Sequence, residues 1–290
     1  NATGPWINET QQRIDSTKII PHKLVKGSHI IIPRLYSGNF AYILQNSDKR
    51  IVFTIPYLDK FTLIGTTDID FDGNIDNAIE ISSDEKNYLC KIINDYFNKK
   101  ITSNDIISSY AGVRCLQQEN KEKLSEIDRD YKILVDKNSL LVTIIGGKLT
   151  THRKLAEETV NQIKTFFPEM KPAWTATAPL PGGNFPENDM EKFIIHFKKN
   201  YSWLPDEICD RYIKNYGTRA NIILENTTSL DDLGESFSNG FYEKELIYLI
   251  EHEWARSLDD ILWRRTKMGL VMDNDTKNKI ATWLKAKFNN

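Results

Sequence analysis

At 290 residues with 40% hydrophobic content, the chain is too long for one small domain and suits one large or two ordinary domains with a full core. Its 38 basic and 40 acidic side chains nearly cancel, to a formal net charge of -2, so no overall field directs it to nucleic acid or to an acidic membrane surface. Cys90, Cys115 and Cys209 lie far apart without CxxC spacing, which argues against structural zinc and a disulfide framework and for a reducing compartment. No apolar run reaches the roughly 18 to 20 residues that span a bilayer, and the N-terminus lacks a signal-peptide pattern.

Asn1-Ala2-Thr3-Gly4-Pro5-Trp6 reads as a strand-end turn leading into a helix, with no strand before it, so the chain is expected to start inside a domain. From Lys23 to Asp70 strands dominate: His29 to Ile32, Tyr42 to Leu44, Arg50 to Ile55 and Thr62 to Gly65. Asn46-Ser47-Asp48 reads as a hairpin loop, which makes its flanking strands antiparallel, and Pro33 blunts its strand or places it at an edge. Ser82-Ser83-Asp84-Glu85 supplies an N-cap and a carboxylate three positions on. Tyr88, Leu89, Ile92, Ile93, Tyr96 and Phe97 follow at helical spacing. Strands return at Ile106 to Val113, Tyr131 to Val135 and Leu140 to Ile145, with polar Gln117 to Asp128 as a mobile loop, so the region resembles a mostly antiparallel sheet with helices on it.

Leu141-Val142-Thr143-Ile144-Ile145-Gly146-Gly147-Lys148 reads as a buried strand that stops at two glycines and turns directly into a helix. Leu149, Leu155, Val160, Ile163 and Phe167 mark that helix's apolar positions. A helix N-terminus leaves backbone N–H groups unpaired and carries the positive end of the macrodipole, and paired glycines let a ligand approach the main chain. An anionic or electron-accepting ligand is favoured there, and Lys148 adds a full charge. After Phe167 the composition shifts, with a proline-rich connection from Pro168 to Pro186 and a domain boundary near Lys171. Helices alone follow: Met190 to Lys199, Pro205 to Asn215 ended by Gly217, Arg219 to Glu225, Tyr242 to Arg256, Leu258 to Lys267, and Asp275 to Phe288.

His29, Arg114, Arg129 and Lys148 sit at strand ends or glycine turns, where rigid elements aim side chains toward a cleft. Singly, each is an ordinary structural donor or surface charge. Together, if they converge, they form a pocket for a small phosphorylated or carboxylated substrate, with an imidazole suited to proton transfer near neutrality. The five histidines are scattered, so no metal site is expected, and Cys115 beside Arg114 reads as a buried strand-end thiol rather than a nucleophile. Trp254, Trp263, Arg256, Arg264 and Arg265 are interleaved with Glu251, Glu253, Asp259 and Asp260. The expected reading is a helix with its tryptophans inward and its charges paired outside, not a nucleic-acid surface.

Together these motifs resemble the FAD-dependent glycerol-3-phosphate dehydrogenases: Ala2-Thr3-Gly4-Pro5-Trp6, Lys26-Gly27-Ser28-His29-Ile30-Ile31-Ile32-Pro33-Arg34, Gly65-Thr66-Thr67-Asp68, Gly112-Val113-Arg114, Arg129-Asp130-Tyr131 and Gly146-Gly147-Lys148-Leu149-Thr150-Thr151. In the tail, Leu233-Gly234-Glu235, Glu251-His252-Glu253-Trp254 and Leu262-Trp263-Arg264-Arg265-Thr266-Lys267-Met268-Gly269 resemble that family's helical C-terminal domain. The resemblance covers essentially the whole chain, in order. Cys115 stands where the family commonly carries proline, and His152 where it often carries tyrosine.

The resemblance implies an α+β, D-amino-acid-oxidase-like flavoprotein. Residues 1-22 would be the remnant of the FAD-binding domain and 23-145 an antiparallel substrate-binding sheet domain with flanking helices. Residues 146-171 would be a glycine turn and helix returning to the FAD domain, and 172-290 an all-α C-terminal domain. The GxGxxG dinucleotide fingerprint is expected upstream of Asn1. FAD is implied as cofactor, held at Thr3, Gly4, Pro5, Gly146, Gly147, Lys148, Leu149 and Thr150. The helix start after Gly146-Gly147 would stabilise negative charge on the flavin pyrimidine.

The implied reaction takes sn-glycerol 3-phosphate to dihydroxyacetone phosphate, with hydride passing from C2 to flavin N5 and electrons going on to a membrane quinone. Arg114, Arg129 and Lys148 match substrate-holding positions, and His29 and Arg114 match positions at the reacting end. His29 is the better proton acceptor, because an arginine with a pKa above about 12 is a poor base. The family's setting further implies a cytoplasmic protein, peripherally bound at the inner face of the membrane, and a possible homodimer. The alternatives are an oxidase that returns electrons to dioxygen, and a non-catalytic phosphate-binding or assembly module without the fingerprint segment.

Overall fold

The computed structural model describes residues 1–15, 17–118 and 130–288, the last without its side chain. Arg129 and nearly all of the polar loop expected from Gln117 to Asp128 lie outside the described residues. The chain divides into two compact units, Asn1–Ala176 and Thr177–Asn290, a few residues beyond the boundary expected near Lys171.

The first unit is built on β1 (His22–Pro33), a strand far longer than the His29 to Ile32 run that announces it. Around it stand β2 (Tyr42–Gln45), β3 (Ile51–Tyr57), β4 (Phe61–Gly65), β5 (Ile69–Asp70) and β6 (Ser108–Gln117). Among the described residues they form one sheet in the order β2-β3-β4-β1-β5, with β6 also on β1. All pairings are antiparallel. β4 pairs with β1 from His29 to Pro33, β5 pairs at Val25 and Lys26, and β6 runs along β1 from His22 to Ile31. Pro33 therefore ends an interior strand instead of marking an edge. His29 and Arg114, expected at strand ends, lie inside β1 and β6.

One face of this sheet is covered by α2 (Ser83–Tyr96), which begins in the capping box foreseen at Ser82 and Glu85. Ile30, Ile32, Leu44, Val52 and Ile64 from the strands pack against Leu89, Cys90, Ile92 and Ile93 of the helix. Glu85 does more than cap. Its buried carboxylate accepts from Ser28 Oγ at 2.7 Å, Thr67 Oγ1 at 2.7 Å and the Ser82 N–H at 2.9 Å, and pairs with Lys26 Nζ at 2.8 Å. Burial alone would raise this carboxyl, but the bonds from Lys26, Ser82, Ser28 and Thr67 outweigh it and hold it at about 2.

A separate hairpin, β7 (Lys132–Asp136) with β8 (Leu141–Ile145), completes the unit's strands among the described residues. Asn1 lies along β8, its amino nitrogen donating to Val142 O at 2.7 Å and its carbonyl accepting from Ile144 N at 2.9 Å. The turn Gly4–Trp6 and α1 (Ile7–Ile14) follow, and Ile7 packs with Ile20, Cys115 and Ile145. β8 is half-buried, not buried throughout, and its glycines lead first into a 3-10 turn, Leu149–Thr151, and only then into α3 (His152–Ile163). The apolar spacing of this helix does not mark a buried face: α3 has no buried residue, and Leu149 is 87% exposed.

The second unit is helical except for a short hairpin, β9 (Ser236–Ser238) with β10 (Phe241–Tyr242), which departs from the all-α expectation. Its helices are α4 (Met190–Asn200), α5 (Asp206–Tyr216), α6 (Ala220–Ile223), α7 (Glu243–His252) and α8 (Asn274–Phe288). The helix expected over Leu258 to Lys267 is a π-helical segment, Asp260–Arg265. Trp254 corrects another expectation. α7 ends at His252, and Trp254 takes a left-handed φ of 57° with 80% of its surface exposed, so it does not pack inward. Inside the unit, fully buried Glu245 accepts from Arg211 Nη2 at 2.7 Å and Tyr216 OH at 2.6 Å, in a core with Tyr212, Leu246, Leu249 and Ile261.

Two stability predictions follow from these buried charges. Glu85 ordinarily titrates near 4.5 and here near 2, so its contribution of about 3 kcal/mol is complete above the ordinary value and is lost as pH falls from about 4.5 toward 2. Urea unfolding of the first unit should show this loss, and Glu85→Gln should abolish it while lowering stability at neutral pH. Arg211→Met leaves Glu245 charged and unpaired at zero exposure, and should cost the second unit about 3–5 kcal/mol in the same measurement.

Candidate active site

The strand register places His29 in a cross-strand row that runs Tyr110, His29, Gly65, Phe53, Ile43, between Tyr110 and Gly65. Because side chains alternate along a strand, Lys26 and Ser28 point back to Glu85 while Gly27 and His29 face the other way, with Tyr110 and Arg114 of β6. This second face is the one α2 leaves open.

Two glycines make room on it. A Cβ at Gly27 would lie 2.6 Å from Thr66 Oγ1 and 2.8 Å and 2.9 Å from Arg114 Nη2 and Nη1, so the guanidinium lies directly across Gly27. Arg114 Nη1 donates to Asp68 Oδ1 at 2.6 Å, which fixes the fork in place. A Cβ at Gly65 would lie 2.2 Å from His29 Cδ2, so the imidazole rests against bare main chain. Its ring also stacks on Tyr110, with centroids 4.9 Å apart and planes 9° from parallel. Burial, reinforced by the Arg114 charge and opposed by Asp68, holds the His29 pKa below the usual 6.5. His29 Nδ1 is buried and has no hydrogen-bond partner among the described residues.

Arg114 also reaches a cleft of about 620 Å³ lined by Ala2, Gly4, Pro5, Gly146, Gly147 and Lys148, with Val113, Leu149 and Leu155 among its other walls. The pairing of Asn1 with β8 is what sets the Gly4 turn beside the Gly146-Gly147 turn. Of the positions expected to hold a cofactor, Gly4, Pro5, Gly146, Gly147, Lys148 and Leu149 line this cleft. Thr3 and Thr150 do not, and the Thr3 hydroxyl bonds locally to Asn1 and Thr10. Lys148 Nζ donates to Asp130 Oδ1 at 3.0 Å, with both groups well exposed. The structure therefore brings His29 beside Arg114, and Arg114 beside the glycine turns and Lys148. Cys115 also lines the cleft, but it is buried and burial pushes its thiol up to about 11, which disfavours the thiolate.

Asp68, Tyr110, Gly27 and Gly65 carry parts of this site that sequence reasoning did not assign. The available signal was glycine inside a strand, which marks close approach by another group. Which group approaches follows only from the register.

The sequence profile of a family described as "FAD dependent oxidoreductase" matches residues 1–185, and that of the "C-terminal domain of alpha-glycerophosphate oxidase" matches residues 173–289. The chain is 40% identical to the aerobic glycerol-3-phosphate dehydrogenase of Escherichia coli, over 98% of this chain and 57% of that protein. It is 42% identical to the glycerol-3-phosphate dehydrogenase of Pseudomonas aeruginosa, over 99% of this chain and 56% of that protein. A solved structure of the glycerol-3-phosphate dehydrogenase from Bacillus halodurans, complexed with FAD, superposes with a TM-score of 0.83 at 27% identity. It covers all of this chain and 57% of that one. The chain thus spans little more than half the length of the relatives it matches.

The residues of the cleft suit a flavin. Gly4, Gly146 and Gly147 have φ of 59°, 73° and 108°, and a Cβ at Gly4 would project into open space with no atom within 4 Å. The helical start beyond Lys148 has no side-chain cap and no acidic residue in its first turn, so although the Thr151 and His152 N–H groups already bond to Lys148 O and Leu149 O, no side chain offsets the positive end of its dipole toward an electron-rich ring edge. Lys148 and Arg114 add positive charge to the same walls.

Gly27→Ala tests the anion clamp. The added methyl should displace the Arg114 guanidinium and weaken inhibition by inorganic phosphate about tenfold, near 1.4 kcal/mol, in an inhibition titration. An unchanged inhibition constant would show that Arg114 holds no anion here.

Proposed function

Because the chain belongs to the FAD dependent oxidoreductase family, and to its branch of glycerol-3-phosphate dehydrogenases, we propose that it supplies the substrate-binding half of a site oxidising sn-glycerol 3-phosphate to dihydroxyacetone phosphate. The observation that carries this reading is Arg114, locked to Asp68 across Gly27, standing between His29 and the Gly146-Gly147 cleft.

FAD, the cofactor of the family, supplies the hydride acceptor when bound; Gly4, Pro5, Gly146, Gly147 and Lys148 are the residues of this chain that would hold it. Arg114 binds the substrate as a preoriented fork, since Asp68 already restricts its rotation. Lys148 is the second cation for the phosphate, and Arg129 is assigned the same task by resemblance alone. His29 accepts the proton of the C2 hydroxyl. Its low pKa keeps the imidazole neutral at physiological pH, the form that a base requires.

We further propose a membrane quinone as the electron acceptor, reached from a peripheral position at the inner face of the membrane by a homodimer. Among the described residues no helix is long and apolar enough to cross a bilayer. Peroxide production under air, with and without added quinone, distinguishes this from an oxidase using dioxygen.

His29→Ala, in the flavin-loaded protein, should lower kcat at least about a hundredfold while KM moves far less. An unchanged kcat removes His29 from the chemistry. In the unmodified enzyme the acid limb of kcat/KM, which reports the free enzyme, should fall below the ordinary imidazole value of 6.5, because burial and Arg114 disfavour the protonated ring.

A further inference from the structure

Most positioned imidazoles take their orientation from a hydrogen bond to the ring nitrogen not used in chemistry. His29 has no such bond: Nδ1 is buried and without a partner among the described residues. Something else must hold the ring, because the terminal torsion of histidine is broad and does not select one orientation by itself. The neighbours that remain are those of its own cross-strand row, Tyr110 on β6 and Gly65 on β4.

We propose that Tyr110 is a positioning residue for the proton transfer, holding the His29 imidazole by ring stacking while the absence of a side chain at Gly65 lets that ring lie against the sheet. The near-parallel planes, 9° apart at 4.9 Å, place an aromatic face against the imidazole, and any Cβ at Gly65 would collide with its Cδ2–Nε2 edge. Tyr110 is itself half exposed and belongs to none of the buried clusters, so stabilising the core does not explain its place. Its stack also keeps water off one face of the imidazole, adding to the desolvation that favours the neutral base. The titratable groups that face this pair are Arg114 on β6, Asp68 in the link after β4, and Tyr57 of β3, which influences Tyr110.

The inference rests on His29 being the base. The test uses the full-length flavoprotein and compares Tyr110→Ala, Tyr110→Phe, His29→Ala and the Tyr110→Ala/His29→Ala double variant. Tyr110→Ala should lower kcat about tenfold with KM for sn-glycerol 3-phosphate changed less than about twofold, and should move the acid limb of the pH profile up toward the ordinary imidazole value. Tyr110→Phe, which keeps the ring and loses the hydroxyl, should restore both. The double variant should be no slower than His29→Ala, since Tyr110 acts only through the imidazole. If Tyr110→Ala does not retain flavin, Tyr110→Leu, apolar but without a planar face, carries the comparison with Tyr110→Phe.

A wild-type pH profile and kcat in Tyr110→Ala, or a loss in Tyr110→Phe equal to that in Tyr110→Ala, overturns the proposal while leaving the base assignment standing. Unchanged turnover in His29→Ala overturns the base assignment, and the proposal with it.

Discussion

The Glu85 carboxylate is the constraint on which the substrate face depends. It draws Ser28 and Lys26 of β1 and Thr67 of the β4–β5 link onto one side of the sheet, and caps α2 by accepting the Ser82 N–H on Oε2. Since successive side chains of a strand point to opposite faces, committing Lys26 and Ser28 to Glu85 commits Gly27 and His29 to the open face. Asp68, which follows Thr67, turns to Arg114 on the same open side. A slip of one residue in β1 would bring His29 against a buried carboxylate and expose Lys26, so the cost of leaving Glu85 unsatisfied protects the register of the site.

On the open face the structure gives up packing for room. Gly27, Gly65 and Gly112 occupy positions in or beside the central strands where a β-branched residue would ordinarily strengthen a sheet. Two of them are filled from outside, Gly27 by the Arg114 guanidinium and Gly65 by the His29 ring, so the lost side-chain contact is replaced by a functional group. Gly112 is different, because a Cβ there would meet nothing within 4 Å. Its open surface lies on the same face as His29 and Arg114, two residues along β6 from Arg114 and opposite Gly27.

Local features were legible in the sequence because their causes are local. The Ser82–Glu85 capping box, the Asn46 to Arg50 hairpin and the Gly146-Gly147 turn each depend on residues within one turn of chain, and each stands as expected. Motif resemblance added what no periodicity could, a reason to look for His29, Arg114 and the glycine turns in one place. Long-range register stayed hidden: nothing in the order of residues sets Tyr110 opposite His29, or carries Asp68 to Arg114 across 46 positions. The apolar spacing of Leu149, Leu155 and Val160 announced a helix, which α3 supplies, but not whether that helix would be buried. Periodicity shows that a helix has an apolar side, and burial depends on whether another element meets that side.

The two described cations of the site differ in how firmly their carboxylates hold them, and this divides their work. Arg114 meets Asp68 at 2.6 Å with the carboxylate only 16% exposed, so exchanging that bond for another would strand a partly desolvated charge. Lys148 meets Asp130 at 3.0 Å with side-chain exposures of 47% and 62%, a solvated pair whose net worth is about 0–1 kcal/mol. Lys148 can therefore leave its carboxylate at little cost, while Arg114 keeps Asp68; under the proposed function the first would meet an arriving phosphate and the second would offer the substrate its remaining N–H groups. A fixed fork and a mobile point charge together allow the anion to be captured loosely and then aligned. That order would suit a site in which the histidine beside the fork stacks on Tyr110 and has no hydrogen-bond partner on Nδ1 among the described residues.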